Sequence, residues 1–330
     1  MINSSNQLPK TSVIIPAYNS EKTITHTIQS VLNQTLSDLE LIVINDGSED
    51  STLDVVTQIQ DPRIKIFSYT NAGGNVSRNR GLQLAVGEFV SFLDADDLWT
   101  PDKLQSQLKA LQENATATVA YSWTDYIDEN GEIVLSGTHV IANGDVYEKL
   151  LLTNFLENGS NPLIRREALI KLGGFDESLS AAQDWDMWLR LSCQFDFVCV
   201  PSVQILYRIS ANSVSSNLVR QEQACLQVLE RAYKERPLAL KHTWNISLTN
   251  LYKYLTCKAL QKPFNRQKAL TAAKFLWNYV LNNSSRLQRI NFTLKLLLKI
   301  FIILLMPTLF DNITNQPEVK SQKAETLLNT

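Results

Sequence analysis

An α/β fold built on a mainly parallel, Rossmann-like sheet is predicted by three observations. Short apolar runs of strand character recur at 11–18, 39–44, 63–69 and 88–93. Helical patterns lie between them, the alternation that right-handed crossovers produce. Polar turn segments follow three of the runs: Pro16-Ala-Tyr-Asn19, Asn45-Asp-Gly-Ser48 and Asp94-Ala-Asp-Asp97. In open parallel sheets, ligands bind beyond the carboxyl ends of the strands, so one crevice can collect all three.

The first strand (11–18) is all but apolar and is expected to end at Pro16, which cannot donate to a ladder. A helix over 20–36 follows, with Ser20 as its N-cap before Glu21. The second strand, 39–44, runs into the turn sequence Asn45-Asp-Gly-Ser48. Helix 51–60, strand 63–69, the loop Asn71-Ala-Gly-Gly74 and helix 75–86 lead to the fourth strand, 88–93. A helix at 101–113 precedes a mixed region, with strands at 119–127 and 133–135 around the turn Asp128-Glu-Asn-Gly131. Helices at 166–172 and 184–193 and a strand at 197–207 complete this part. Beyond it, helical patterns cover 219–235, 243–260, 265–282 and 287–305. The expected organisation is a flexible N-terminus (1–10), a catalytic domain (11–218), a basic helical region with an apolar last helix (219–310) and a disordered tail (311–330).

Composition is that of a globular chain: 330 residues, 44% hydrophobic and 19% charged. The net charge of −2 conceals a split. Residues 1–219 carry 14 Lys and Arg against 27 Asp and Glu, whereas 220–300 carry 15 against 3. The C-terminal region therefore either meets an anionic surface or is a solvated basic face. Nucleic acid is excluded as the partner, because the basic residues avoid the motif-bearing domain. The four cysteines form no Cys-x-x-Cys pair, which reads as reduced thiols in a cytoplasmic protein. No signal peptide is recognisable at the polar N-terminus.

The chemistry gathers at the strand ends. Asp94 and Asp96, presented where a buried strand stops, suit a hard divalent cation, Mg²⁺ or Mn²⁺. Such an ion held by one or two carboxylates keeps positions open for phosphate oxygens. Tyr18 either stacks on a nucleobase or packs on the core. Asp46 can accept hydrogen bonds from a base or ribose, while Asp50 and Thr52 can simply cap the next helix. Gly73 and Gly74 allow close backbone approach to a ligand, and Arg78 and Arg80 lie near a helix start.

In combination, Pro-Ala-Tyr-Asn, Asn-Asp-Gly-Ser-x-Asp-x-Thr, Asn-x-Gly-x5-Asn-x-Gly and Asp-x-Asp-Asp-x-Trp-x-Pro resemble family 2 glycosyltransferases, across roughly residues 11–215. The resemblance implies the GT-A fold and an inverting, metal-dependent transfer of a sugar from a nucleotide-diphosphate donor, a UDP-sugar first. It implies that Pro16, Ala17, Tyr18, Asn19, Asp46, Gly73, Arg78, Asp94 and Ala95 surround the nucleotide-sugar, with Asp96 and Asp94 at the metal. Trp99 either packs inward or borders the acceptor. Gly173-Gly-Phe-Asp-Glu177 leads to Gln183-Asp184, where the family usually has Glu-Asp; Asp184 is carried over as the general base. Asp186 is read as a charge at a helix N-terminus. Tyr207-Arg208-Ile-Ser210 resembles the family's Tyr-Arg-x-His, with serine in place of histidine. Arg208 then serves either the diphosphate or a structural ion pair. His26, His139 and His242 match no catalytic element.

The implied acceptor is a glycan or lipid-linked glycan of the cell envelope. The stretch 292–306 is apolar but interrupted by Lys295 and Lys299. It fits an in-plane helix on an anionic membrane, a buried or oligomer-forming helix, or a span. A peripheral place on the inner face of the cytoplasmic membrane follows from the first. Two rival readings are a nucleotide-sugar-binding protein that has lost activity, suggested by Gln183 and Ser210, and a nucleotidyltransferase, disfavoured because no Gly-rich basic loop follows the first strand.

Overall fold

The computed structural model describes residues 8–209, 217–235, 243–262, 264–283 and 290–307. The chain divides into two compact units, Met1–Leu150 with Asn154–Ser216, and Leu151–Thr153 with Asn217–Thr330.

The first unit opens with the alternation read from the sequence: β1 (Thr11–Ala17), α1 (Ile24–Leu32), β2 (Leu39–Asn45), α2 (Thr52–Thr57), β3 (Ile64–Ser68), α3 (Gly74–Leu84) and β4 (Phe89–Phe92). β1 is parallel to both β2 and β4, and β2 to β3. Its residues alternate between faces, as the strand period dictates. Ile14 lies against Gly81 of α3, whereas Val13 and Ile15 join the cluster formed with Ile28 and Val31 of α1. Complete burial of each such side chain contributes roughly 1.5–3 kcal/mol.

After β4 come β5 (Leu98–Trp99), α4 (Lys103–Glu113), β6 (Ala117–Ile127), β7 (Ile133–Ser136), α5 (Tyr147–Leu152), β8 (Leu163–Arg165), α6 (Arg166–Lys171), α7 (Gln183–Ser192) and β9 (Asp196–Arg208). The sheet order is β3-β2-β1-β4-β8-β6-β9-β5, with β7 paired to β6. β6 and β9 are parallel; β8 runs antiparallel between β4 and β6 and joins the two parallel groups.

Several expectations need correction. Pro16 does not end β1, which continues to Ala17 in register with β2. Pairing on the β4 side stops at Ile14, so no ladder bond is lost at the proline. Ser20 is not an N-cap: its carbonyl closes a turn by accepting from Thr23 and Ile24, and α1 starts only after Thr23. That helix also ends early, because Gln34 turns away to bond Thr100 O (2.7 Å) and Leu104 N (3.0 Å) at the start of α4. β5, α5 and β8 were not anticipated.

The second unit contains α8 (Leu218–Glu235), α9 (Trp244–Ala259), α10 (Arg266–Asn282) and α11 (Ile290–Leu305). Asn265 caps α10 by accepting from Lys268 N (2.8 Å). α11 buries Leu296, Ile300 and Ile303 but leaves Leu294, Leu298, Phe301 and Leu305 each more than half exposed. Among the described residues no helix is long and apolar enough to cross a membrane. Among the described residues no cysteine forms a disulfide. Residues 1–7 and the tail from 308 onward lie outside the described residues, as does Ser210.

Candidate active site

Two strand-end loops are stapled side by side. Asn19, at φ 49°, accepts from Glu49 N through Oδ1 (2.8 Å), and its own N–H donates to Ser48 Oγ (3.1 Å). Ser20 N donates to Thr52 Oγ1 (2.7 Å), Glu21 N to Asp50 Oδ2 (3.1 Å) and Ser51 N to Glu21 Oε2 (3.0 Å). Asp50 and Thr52 thus tie the β1 loop to the β2 loop, more than simply capping α2. Tyr18 is 47% exposed, so its ring is not packed in the core.

Asp46 is buried and organises the third loop. Its carboxylate accepts from Ala72 N (3.0 Å) and Gly73 N (2.8 Å) and faces Arg80 Nη1 (3.4 Å), whose guanidinium lies 4.4 Å from the Tyr69 ring centre. Gly73 has φ 94° and ψ 162°, a conformation open to glycine and very costly for other residues. α3 begins directly after it.

At the end of β4 the three carboxylates have different environments. Asp94 forms an ion pair with Arg78 Nη2 and stays partly exposed. Asp96 is pushed up to about 6, by burial first and by Asp94 second, against the pull of Arg208 and Arg78. Asp97 is fully buried and is a brace: it accepts from Ser160 Oγ (2.6 Å) and Arg208 N (3.0 Å). Burial, then Asp96 and Asp94, holds its carboxyl well above the usual range. The Ala95 carbonyl accepts from Thr23 Oγ1 (2.9 Å) and Thr27 Oγ1 (3.0 Å), which fixes the turn to α1. The ion pair considered for Arg208 is not what it forms: Nε donates to Asp96 O (2.9 Å) and Nη1 to Asp128 O (2.8 Å) and Glu129 O (2.9 Å). Trp99 is buried, donates to Ser160 O (2.9 Å) and lies under Lys103 Nζ at 3.8 Å, which makes it a packing residue.

α3 connects this turn to Asp184. Arg78 points to Asp94, while two asparagines one turn apart dock the segment that leads to α7. Asn79 donates to Phe175 O (2.9 Å) and accepts from Phe175 N (2.8 Å), and Asn75 donates to Asp176 O and Leu179 O (both 2.9 Å). Ala182, at φ 55°, turns the chain sharply into α7. Strain of this kind is common beside functional groups. Asp184 then sits in the first turn of α7, where the helix dipole favours its negative form. Burial nevertheless raises its pKa, with Asp94 adding to the rise; the Trp185 N–H, Arg78 and Asn154 oppose it. Asn154 Nδ2 donates to Asp184 Oδ2 (3.2 Å). Asp186 lies in the first turn of α7, the helix N-terminal position expected for it, and is buried: it accepts from Arg190 Nε (2.8 Å), while Arg190 Nη1 donates to Leu172 O and Nη2 to Gly174 O.

Two buried polar atoms among the described residues lack a partner here, Arg78 Nε and Asn154 Oδ1. Orphans of this kind in a folded protein call for an explanation, and both flank the Asp94–Asp184 space. Among the described residues no three acidic, histidine or cysteine side chains converge on one point.

The model of the glycosyltransferase-like family 2 matches residues 12–259 of this chain. The chain is a family 2 glycosyltransferase. The β-1,3-glucosyltransferase WfgD of Escherichia coli, which uses UDP-Glc and α-D-GlcNAc-diphosphoundecaprenol, is 32% identical over 237 residues, 69% of this chain and 88% of that protein. An E. coli chondroitin synthase is 32% identical over 188 residues, 56% of this chain and 27% of the synthase. The chain thus spans about a quarter of that longer synthase. The mannosyltransferase PcManGT of Pyrobaculum calidifontis, solved with GDP-Man and Mn²⁺, superposes with a TM-score of 0.56 at 20% identity, covering 94% of this chain and 88% of its own. That likeness identifies the fold as GT-A.

Sequence reasoning missed the loop that ties this glycosyltransferase site together. Asn154 reaches Asp184, and Ser160 bonds both Asp97 and the Asp94 N–H (3.0 Å). The unbroken polar run Glu157-Asn-Gly-Ser-Asn161 before Pro162 was the available signal.

Proposed function

We propose that this enzyme is an inverting transferase that moves a sugar from a nucleotide diphosphate, a UDP-sugar first, to a hydroxyl of a cell-envelope glycan or lipid-linked glycan. One observation carries the reading: α3 holds both sides of the site, pairing Arg78 with Asp94 at the end of β4 and docking, through Asn75 and Asn79, the segment that leads into α7 and the half-buried carboxylate of Asp184. The named substrates of WfgD support both the donor and the acceptor class.

Tyr18, with Pro16, Ala17 and Asn19, is assigned to the nucleobase side, and Asp46 holds the Gly73 loop against it. Asp184 takes the proton of the acceptor hydroxyl as its oxygen bonds to the anomeric carbon and the carbon–phosphate oxygen bond breaks. Attack opposite the leaving diphosphate inverts the centre. Arg78, through its buried guanidinium, offers positive charge beside the sugar-phosphate. Asp94 and Asp96 fit a divalent cation and would hold it: the two carboxylates crowd one strand end, where Asp94 helps push the Asp96 carboxyl up to about 6. With two protein carboxylates, the rest of the shell falls to diphosphate and water. When bound, Mg²⁺ or Mn²⁺ supplies Lewis-acid neutralisation of the leaving group; PcManGT carries Mn²⁺.

Asp184→Asn is expected to lower transfer by about 100-fold or more while nucleotide binding persists. Normal turnover by this variant would remove Asp184 from the role. We also assign α11 to a membrane surface. Its exposed side is rich in apolar residues, and Lys295 and Lys299 add positive charge that anionic headgroups attract.

A further inference from the structure

Outside the residues already assigned, β6 and the two loops beside it bring together Trp123, Asp125, His139 and Glu157. The His139 and Trp123 rings stack at 4.7 Å with 12° between their planes. Asp125 Oδ1 is shared by His139 Nε2 (2.8 Å) and the Gly137 N–H (3.2 Å). Glu157 Oε1 accepts from Thr138 N (2.9 Å), and a Cβ on residue 137 would collide with the other oxygen of Glu157. That Cβ would meet the Thr124 carbonyl of β6 even sooner, so the glycine lets the chain at 137 pass between β6 and this carboxylate. Burial pushes Glu157 up to about 7. His139 and Glu157 both hold positive φ, 46° and 70°.

Position gives this cluster its meaning. Glu157 is three residues from Asn154, the partner of Asp184, and three from Ser160, the partner of Asp97. Three residues of extended chain span at most about 10 Å. The cluster is thus within the reach of a short saccharide whose reacting hydroxyl is at Asp184. Its chemistry suits such a ligand. A pyranose presents an apolar C–H face to a flat ring and a rim of hydroxyls that donate to carboxylates. Small-molecule sites generally combine apolar or aromatic lining with a few fixed polar groups.

We propose that Trp123, Asp125, His139 and Glu157 form the subsite that holds a pyranose residue of the acceptor glycan. The proposal rests on the glycosyl-transfer reading above and deepens it. Trp123 and His139 supply the flat surface, and Asp125 and Glu157 accept hydrogen bonds from the sugar hydroxyls.

The test uses the full chain labelled with ¹⁵N-histidine. The sequence has three histidines, so His139→Gln identifies the relevant signals. UDP and GDP with Mn²⁺, and separately methyl glucoside, galactoside, mannoside and N-acetylglucosaminide, are titrated by NMR and calorimetry. At least one methyl pyranoside is expected to shift the His139 signals saturably. Trp123→Ala and Asp125→Asn are expected to weaken that binding about tenfold, some 1.4 kcal/mol, with nucleotide affinity unchanged. Glu157→Gln, an isosteric change, makes the same test if loss of the indole prevents folding. Nucleotide binding without any pyranoside effect at His139 overturns the subsite, as do variants with unaltered pyranoside affinity. Failure to bind either nucleotide overturns the glycosyl-transfer reading itself, and the subsite with it.

Discussion

Asp184 must be a carboxylate to accept a proton, and its surroundings make it hold one longer than an ordinary aspartate does. Burial raises its pKa first and Asp94 second, while Arg78 and the Asn154 amide act the other way. Activity is therefore expected to fall on the acid side at a pH above the normal aspartate range. Removing an opposing contact should move that limb further up, so the kcat/KM profile of Asn154→Ala is expected to lie to the alkaline side of the parent. An unmoved limb would detach Asp184 from the titration. The sign for stability is the reverse of a salt-bridged aspartate: the folded form favours the proton, so this group's contribution is present at low pH and is lost as pH rises through the folded pKa. The acidic residues were legible because a strand end followed by Asp-x-Asp, and an aspartate opening a helix, are local patterns. Which carboxylate is a buried brace and which stays partly exposed was not legible. Burial alone separates Asp97 from Asp94, and burial arises from β9 and the 154–161 loop, distant in sequence.

Helix α3 is the element on which the site depends most. Its Arg78 pairs with Asp94, while Asn75 and Asn79 secure the approach to α7. Asn79→Ala leaves a backbone N–H and C=O of Phe175 without these partners, at a cost of about 1–3 kcal/mol. A lower melting temperature is expected, together with a fall in kcat larger than any change in nucleotide affinity. An equal loss of both would mean that the helix supports the fold without positioning the base. The longer elements announced themselves by apolar runs and helical periodicity. β8 has three residues and β5 two, too few for either period to register. α5 has six, as do α2 and α6, but it lacks the marks those two carry, a serine before the first turn of α2 and a glycine pair after α6. β8 nevertheless joins the two parallel groups of the sheet, which is why the antiparallel centre was invisible beforehand.

At the scale of the whole molecule, charge and exposure agree on where an anionic surface would be met. The basic excess of residues 220–300 coincides with the unit whose last helix exposes Leu294, Leu298, Phe301 and Leu305. In vesicle flotation, the full chain is expected to rise with anionic lipid, to do so less at high salt, and to stay down when Leu298→Glu and Phe301→Glu are combined. Failure of the parent chain to float would reject the membrane assignment. The 154–161 loop has a different consequence, one for protein engineering. It carries Ser160, which holds the Asp94–Asp97 turn, and Glu157, which the proposed subsite assigns to the acceptor. Specificity modules in this scaffold are therefore not separable cassettes. A chimera that imports this loop from a relative also imports its grip on Asp97, and any graft that changes residue 160 should alter donor affinity even when only a new linkage was sought.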